Sequence, residues 1–274
     1  HHLARDLPLG QMPGGTQGLD LPTIMAADFP TANHAIVVHV FYPDLWPEMA
    51  RQIAAQLFDF DLFVTITAGQ PGGDALMGQI KTQFPKAQIW HIPNHGRDIF
   101  PFVHLLNSGV LQPYKAICKL HTKRSPHRTD GDAWRDALID GILGNPHTTA
   151  KRLATFLADP KAGLWVADGH LCAGAEWWGA NRHRTFALLA ASNGALPDRQ
   201  LKFAAGSIYW IKPALVAALS GLGLTAADFE PEMGQVDGTT AHAIERALGL
   251  LALHHGIDMV QSSALDQQTM TNNV

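Results

Sequence analysis

AIVVHVFYPDLWPEMARQIAAQLFDFDLFVTITA, residues 35–68, sets the fold class. It opens with a short, β-branched apolar run, AIVVHV (35–40). A stretch with helical spacing follows, WPEMARQIAAQLFDF (46–60), and then a second apolar run, LFVTITA (62–68). Apolar runs without alternation suit strands buried on both faces, and a helix between two of them is the signature of a parallel crossover.

The same rhythm continues downstream. ALMGQIKTQF reads as a helix and QIWHI (88–92) as a third strand. DIFPFVHLLNSG is a short helix with Pro101 in its first turn, and AICKLH (116–121) is a fourth strand. Helices are expected near 131–143 and 147–158, a fifth strand at GLWVAD (163–168), and a helix around 181–192. GSIYWIK (206–212) leads into the helical PALVAALSG, and the last strong helix runs over 239–253, with Ile244, Leu248 and Leu251 on one stripe. Strands alternating with helices predict one α/β domain with a mostly parallel central sheet. Residues 1–33, rich in Gly, Pro and Thr, read as an irregular N-terminal arm. The domain is expected over 34–256, and 257–274 as a C-terminal tail.

Composition narrows the function. The chain has 274 residues, 46% apolar, with a net charge of −4. That balance offers no general field for holding nucleic acid. Cys118 and Cys172 lie far apart in apolar contexts, as reduced core residues of a cytoplasmic protein would. No run of about eighteen apolar residues suggests a membrane span, and no signal-peptide core is expected at the start.

Against this acidic background, KLHTKRSPHR (119–128) holds four of the twenty Lys and Arg residues directly after a strand. Ligands of open α/β sheets bind beyond the carboxyl ends of the strands. The residues there are Tyr42 to Asp44, Thr67 to Gln70, Asn94 to Asp98, and His121 to Arg124. Read alone, a basic run is as often a solvated loop. At this edge it is expected to neutralise phosphate.

Four stretches carry a resemblance. NHGRDIFPF (94–102), KLHTKRS (119–125), AGSIYWIKP (205–213) and FEPEMGQVDGTTAHAIERALG (229–249) resemble the rhamnan synthesis protein F family, in order, over most of the chain. The family resemblance implies a Rossmann-like, GT-A-type glycosyltransferase of bacterial cell-surface polysaccharide or lipopolysaccharide. Residues 34–130 would form a donor-binding half and 131–256 an acceptor half. The implied partners are an activated sugar donor, possible rhamnose being suggested by the family name, and a lipid-linked glycan acceptor at the inner face of the cytoplasmic membrane. Where GT-A enzymes carry the Asp-x-Asp that holds a metal on the donor diphosphate, this chain has His121-Thr122-Lys123. A metal-independent, inverting transferase with no cofactor is therefore expected, its leaving group stabilised by Lys123 and Arg124 with a hydrogen bond from His121. Another phosphate-activated donor, or a non-catalytic glycan-binding subunit, stays open.

On the donor side Asn94, Gly96, Arg97 and Asp98 join that basic cluster. Arg97 either clamps phosphate or braces Asp98, and Asp98 either caps its helix or holds the donor. An inverting transferase needs a carboxylate near the acceptor hydroxyl. Asp237, ahead of the last strong helix, and Glu232 are rivals for that role, with helix capping as the plain alternative for Asp237. Ser207 and Trp210 are expected to shape the acceptor side. His242, Glu245 and Arg246 share one helix face and form either a polar network toward the crevice or a solvated surface. Trp177 and Trp178 read equally as a sugar-stacking wall or as core. Asp168 and His170 do not define a metal site.

Overall fold

The computed structural model describes residues 19–25, 30–122, 124, 131–190 and 201–271. Its centre is a seven-stranded sheet. The strands are β1 (His34–Val40), β2 (Asp61–Thr67), β3 (Gln88–Ile92), β4 (Ala116–His121), β5 (Ala162–Val166), β8 (Tyr209–Ile211) and β9 (Asp258–Gln261). Two short strands, β6 (Leu171–Ala173) and β7 (Lys202–Ala204), pair antiparallel in a separate ribbon.

The sheet order is β3-β2-β1-β4-β8-β5-β9. The first four strands run parallel, β8 runs antiparallel to both neighbours, and β9 is parallel to β5. The chain builds outward from β1 through β2 to β3, then returns to lay β4 on the other side of β1. Because crossovers are right-handed, that reversal must send the connecting helix to the opposite face of the sheet. The two cores agree. Helices α1 (Trp46–Ala54) and α2 (Gly73–Gln83) bury Trp46, Ile53, Leu76 and Ile80 against Ile36, Val38 and Val64. Helix α3 (Ile99–Asn107) buries Phe100, Phe102 and Leu105 with Val37, Phe63 and Ile117 on the other side.

Helices α4 (Gly131–Leu143) and α5 (Pro146–Ala158) join the first layer. Helices α6 (Arg182–Ala190), α7 (Pro213–Ser220) and α8 (Thr240–His254) join the second. Gly249 lies where α8 meets β7, and a Cβ there would fall 1.7 Å from the Lys202 carbonyl. A mid-helix glycine costs about 1 kcal/mol in propensity, and this close approach explains its presence.

Residues 257–271 are not a tail. Strand β9 extends the sheet, and α9 (Ser262–Thr271) returns over α5, burying Leu265 completely and pairing Asp266 with Arg152 at 2.7 Å. In the arm region, Ile24 is buried and the Pro22 carbonyl accepts a hydrogen bond from His104. No helix among the described residues is long and apolar enough to cross a membrane.

Candidate functional site: a cleft at the turning point of the sheet

The strand order reverses between β1 and β4, and a cleft of about 390 Å³ opens beyond their carboxyl ends. Ligands of such sheets bind at this switch point. The cleft is lined by His39 at the end of β1 with Phe41 and Tyr42 beyond it, by Asn94, Arg97 and Asp98 after β3, by His121 at the end of β4 with Thr122 and Arg124 beyond it, and by Glu232 with Gly234. Thr122 ties the two strand ends together: its hydroxyl accepts from the Phe41 and Tyr42 N–H groups, and its own N–H donates to the His39 carbonyl.

Strand alternation places His39, Lys119, His121 and Tyr209 on one face of the sheet, the face that also carries Thr65 and Thr67, with His39 paired to Thr65 and His121, and Lys119 to Tyr209. Lys119 is 1% exposed. Its ammonium donates to Asp98 Oδ2 at 2.6 Å and to the Ser207 carbonyl and hydroxyl, both at 2.9 Å. The other Asp98 oxygen lies 3.1 Å from His121 Nδ1, and His121 Nε2 donates to the Gly206 carbonyl at 3.0 Å. Burial works against the Asp98 charge, but His121 and Lys119 overcome it and hold the carboxyl well below the usual range. His39 sits between the hydroxyls of Thr65 and Thr67, and burial pushes its pKa down to about 3, so it is neutral.

The loop Asn94–Asp98 is latched to the segment carrying Glu232. His95 Nε2 donates to the Ala226 carbonyl, Arg97 N–H donates to Glu232 Oε1 at 3.1 Å, and the Arg97 guanidinium bonds the Gln235 carbonyl. Gly96 has φ +59°, and a Cβ there would lie 2.5 Å from both Phe100 and Phe229. Arg97 also takes a left-handed conformation, φ 56°, uncommon for a residue with a side chain. Arg124 stacks over Tyr42 at 4.9 Å and pairs with exposed Asp44. Such a pair is worth roughly 0–1 kcal/mol, so a phosphate can displace it.

Several expectations change here. Asp98 makes no side-chain cap to α3; its carboxylate turns to Lys119 and His121 instead. Both His121 nitrogens are engaged with protein groups, so the hydrogen bond expected from it to phosphate is already spent on Asp98 and Gly206. Trp210 cannot shape an acceptor site: it is fully buried on the far face of the sheet, stacked on Trp165 and bonded to the Ile142 carbonyl. Ser207 is 1% exposed, has φ 54° and holds Lys119.

Asp237 lies outside the cleft lining. It accepts from Ala180 N–H at 3.0 Å and from the Asn181 amide at 2.6 Å, and these bonds lower its pKa against the opposing effect of burial. It staples two loops and does not cap α8. Glu230 accepts from the Thr240 N–H and pairs with Arg184. Arg246 binds the His242 carbonyl, Glu245 and the Trp177 carbonyl and stacks over Phe203, so with Glu245 it braces the α8 layer. Burial and Arg97 push His242 down to about 4, leaving it neutral. Trp178 is core, and Trp177 is 44% exposed. Lys123 and Arg128 lie outside the described residues.

The strand order defines an α/β domain with a cleft at the switch point of its sheet. The chain belongs to the rhamnan synthesis protein F family, whose model matches residues 21–257. It is 33% identical over 240 residues to an uncharacterized protein, WxcX, of Xanthomonas campestris pv. campestris, covering 88% of this chain and 34% of that one. The chain thus spans about a third of that relative's length. Looser likenesses exist to solved structures. A mannosyltransferase from Pyrobaculum calidifontis in complex with GDP-Man and Mn2+ is 16% identical over 76% of this chain and 53% of its own, with a TM-score of 0.40. S. aureus TarS is 9% identical over 80% and 55%, with a TM-score of 0.42.

Proposed function

We propose that the protein is a GT-A-type glycosyltransferase that moves a sugar, rhamnose by its family's name, from a nucleoside-diphosphate donor to a growing bacterial cell-surface glycan on a lipid carrier. The observation that carries this reading is one cleft, at the sheet's switch point, facing a carboxylate and two guanidinium groups: Glu232, Arg97 and Arg124.

The carboxylate suits a base. Glu232 Oε1 is fixed by the Arg97 N–H, while Oε2 makes no hydrogen bond among the described residues and stands 3.9 Å from Arg97 Nε. An acceptor hydroxyl oxygen attacks the anomeric carbon and passes its proton to Glu232. The bond from that carbon to the diphosphate breaks, the electron pair leaves with the diphosphate, and the configuration inverts. Arg124, with Lys123 beside it in sequence, stabilises the departing charge.

The acids present do not fit a hard cation. Divalent cations of this type take several oxygen ligands. Asp98 gives one oxygen to Lys119 and the other to His121, and Glu232 is turned to Arg97. The reaction is accordingly read as metal-independent.

A thermal-shift panel in EDTA tests the donor. A nucleoside diphosphate or its sugar conjugate should raise the melting temperature, because binding to the folded state alone stabilises it. A shift with glycan and with no phosphorylated compound would replace this reading with a glycan-binding subunit.

A further inference from the structure

His121 Nε2 faces a carbonyl, at Gly206, and a carbonyl only accepts. His121 Nδ1 faces a carboxylate oxygen of Asp98 at 3.1 Å. A neutral imidazole has one N–H and can satisfy one of these acceptors. Only the doubly protonated ring satisfies both.

The surroundings favour that state. Lys119 uses its ammonium on Asp98 Oδ2 and Ser207, so Asp98 is held as a carboxylate with its other oxygen facing the His121 ring. His39, behind the ring on β1, is neutral, and burial keeps the Tyr209 phenol on β8 protonated. Across the cleft Arg97 is near Glu232, and Arg124 is paired with Asp44. Each of those two pairs is neutral in itself. With a doubly protonated ring, the Asp98–Lys119–His121 cluster itself carries one net positive charge.

We propose that His121 is held as an imidazolium, and that the Asp98–Lys119–His121 cluster thereby gives the cleft floor a fixed positive charge serving as the diphosphate subsite. This rests on the donor reading above. The ring acts by its charge, since both N–H groups are committed to protein acceptors. Asp98 and Lys119 are positioning residues: they hold His121 in its orientation and protonation state and need touch no substrate. A cation built from side chains in this way is strengthened by its low-dielectric surroundings and needs no reorganisation when a ligand arrives.

Nitrogen NMR of the full chain with labelled histidine reads the ring directly. The His121→Asn variant assigns the signal by its disappearance. At pH 7.5 both His121 nitrogens should carry protons, and inorganic pyrophosphate should perturb that ring's signals. In calorimetry at the same pH, His121→Asn should weaken pyrophosphate binding on the order of tenfold, the effect of removing one partly screened charge a few ångströms away. A neutral His121 ring in a protein that binds pyrophosphate would overturn the inference and leave the donor reading standing. Equal pyrophosphate affinity in the folded variant would also overturn it. If neither pyrophosphate nor any nucleoside diphosphate binds the wild-type protein, the donor reading fails and takes this subsite with it. Should the Asn variant not fold, His121→Gln serves for both the assignment and the affinity comparison.

Discussion

Glu232 and Asp237 stand five positions apart, and their surroundings separate their roles. Glu232 faces the cleft with one oxygen open; Asp237 spends its oxygens on Ala180 and Asn181. Glu232→Gln should lower turnover on the order of 10²–10⁴-fold with donor affinity little changed. Asp237→Asn should leave turnover per folded molecule near normal and cost about 1–3 kcal/mol of stability, by weakening buried hydrogen bonds. Steady-state kinetics and denaturant melts on both variants check this. The reverse pattern would move the base to Asp237. The sequence could name both acids but not choose, because the choice lies in contacts more than fifty residues away, at Ala180 and Asn181. Lys119 was missed as a functional residue although a signal was present. A lysine between Cys118 and Leu120 in an otherwise apolar strand is rarely buried without a partner, and Asp98 is that partner.

At the scale of elements, long apolar runs were legible and short edges were not. Strands β1, β2 and β4 are buried on both faces and stand out as continuous apolar stretches. Strand β9 has four residues, DMVQ, at a sheet edge, too few to show a period, so the stretch read as tail. Trp210 misled for a related reason: in a three-residue strand, the face a side chain takes is set by pairing with β4 and β5. Ending the chain after Gly256 should therefore expose the edge of β5 and remove buried Leu265 and Met259. Losing two such core side chains costs several kcal/mol. At roughly 2–4 °C per kcal/mol for a chain of this size, the melting temperature should fall by about 10 °C or more, or the protein should become insoluble. An unchanged melting curve would mean that β9 and α9 carry no part of the fold.

For the whole molecule, the alternation of strand and helix gave the parallel half of the sheet. The antiparallel β8 and the reversal that puts α3 opposite α1 are long-range choices that no local pattern encodes. The reversal matters most, since it opens the cleft between β1 and β4 and brings the 94–98 loop to face Glu232. The residues at that edge were legible because they follow strands; their mutual engagement was not. The central claim, metal-independent transfer of a sugar in this cleft, is tested most directly by mass spectrometry of glycan acceptor mixed with protein and a panel of nucleotide-sugar donors in excess EDTA. The acceptor should become heavier by one sugar residue, equally with and without the chelator, and this gain should be lost in Glu232→Gln. Transfer abolished by EDTA and restored by manganese or magnesium would contradict it.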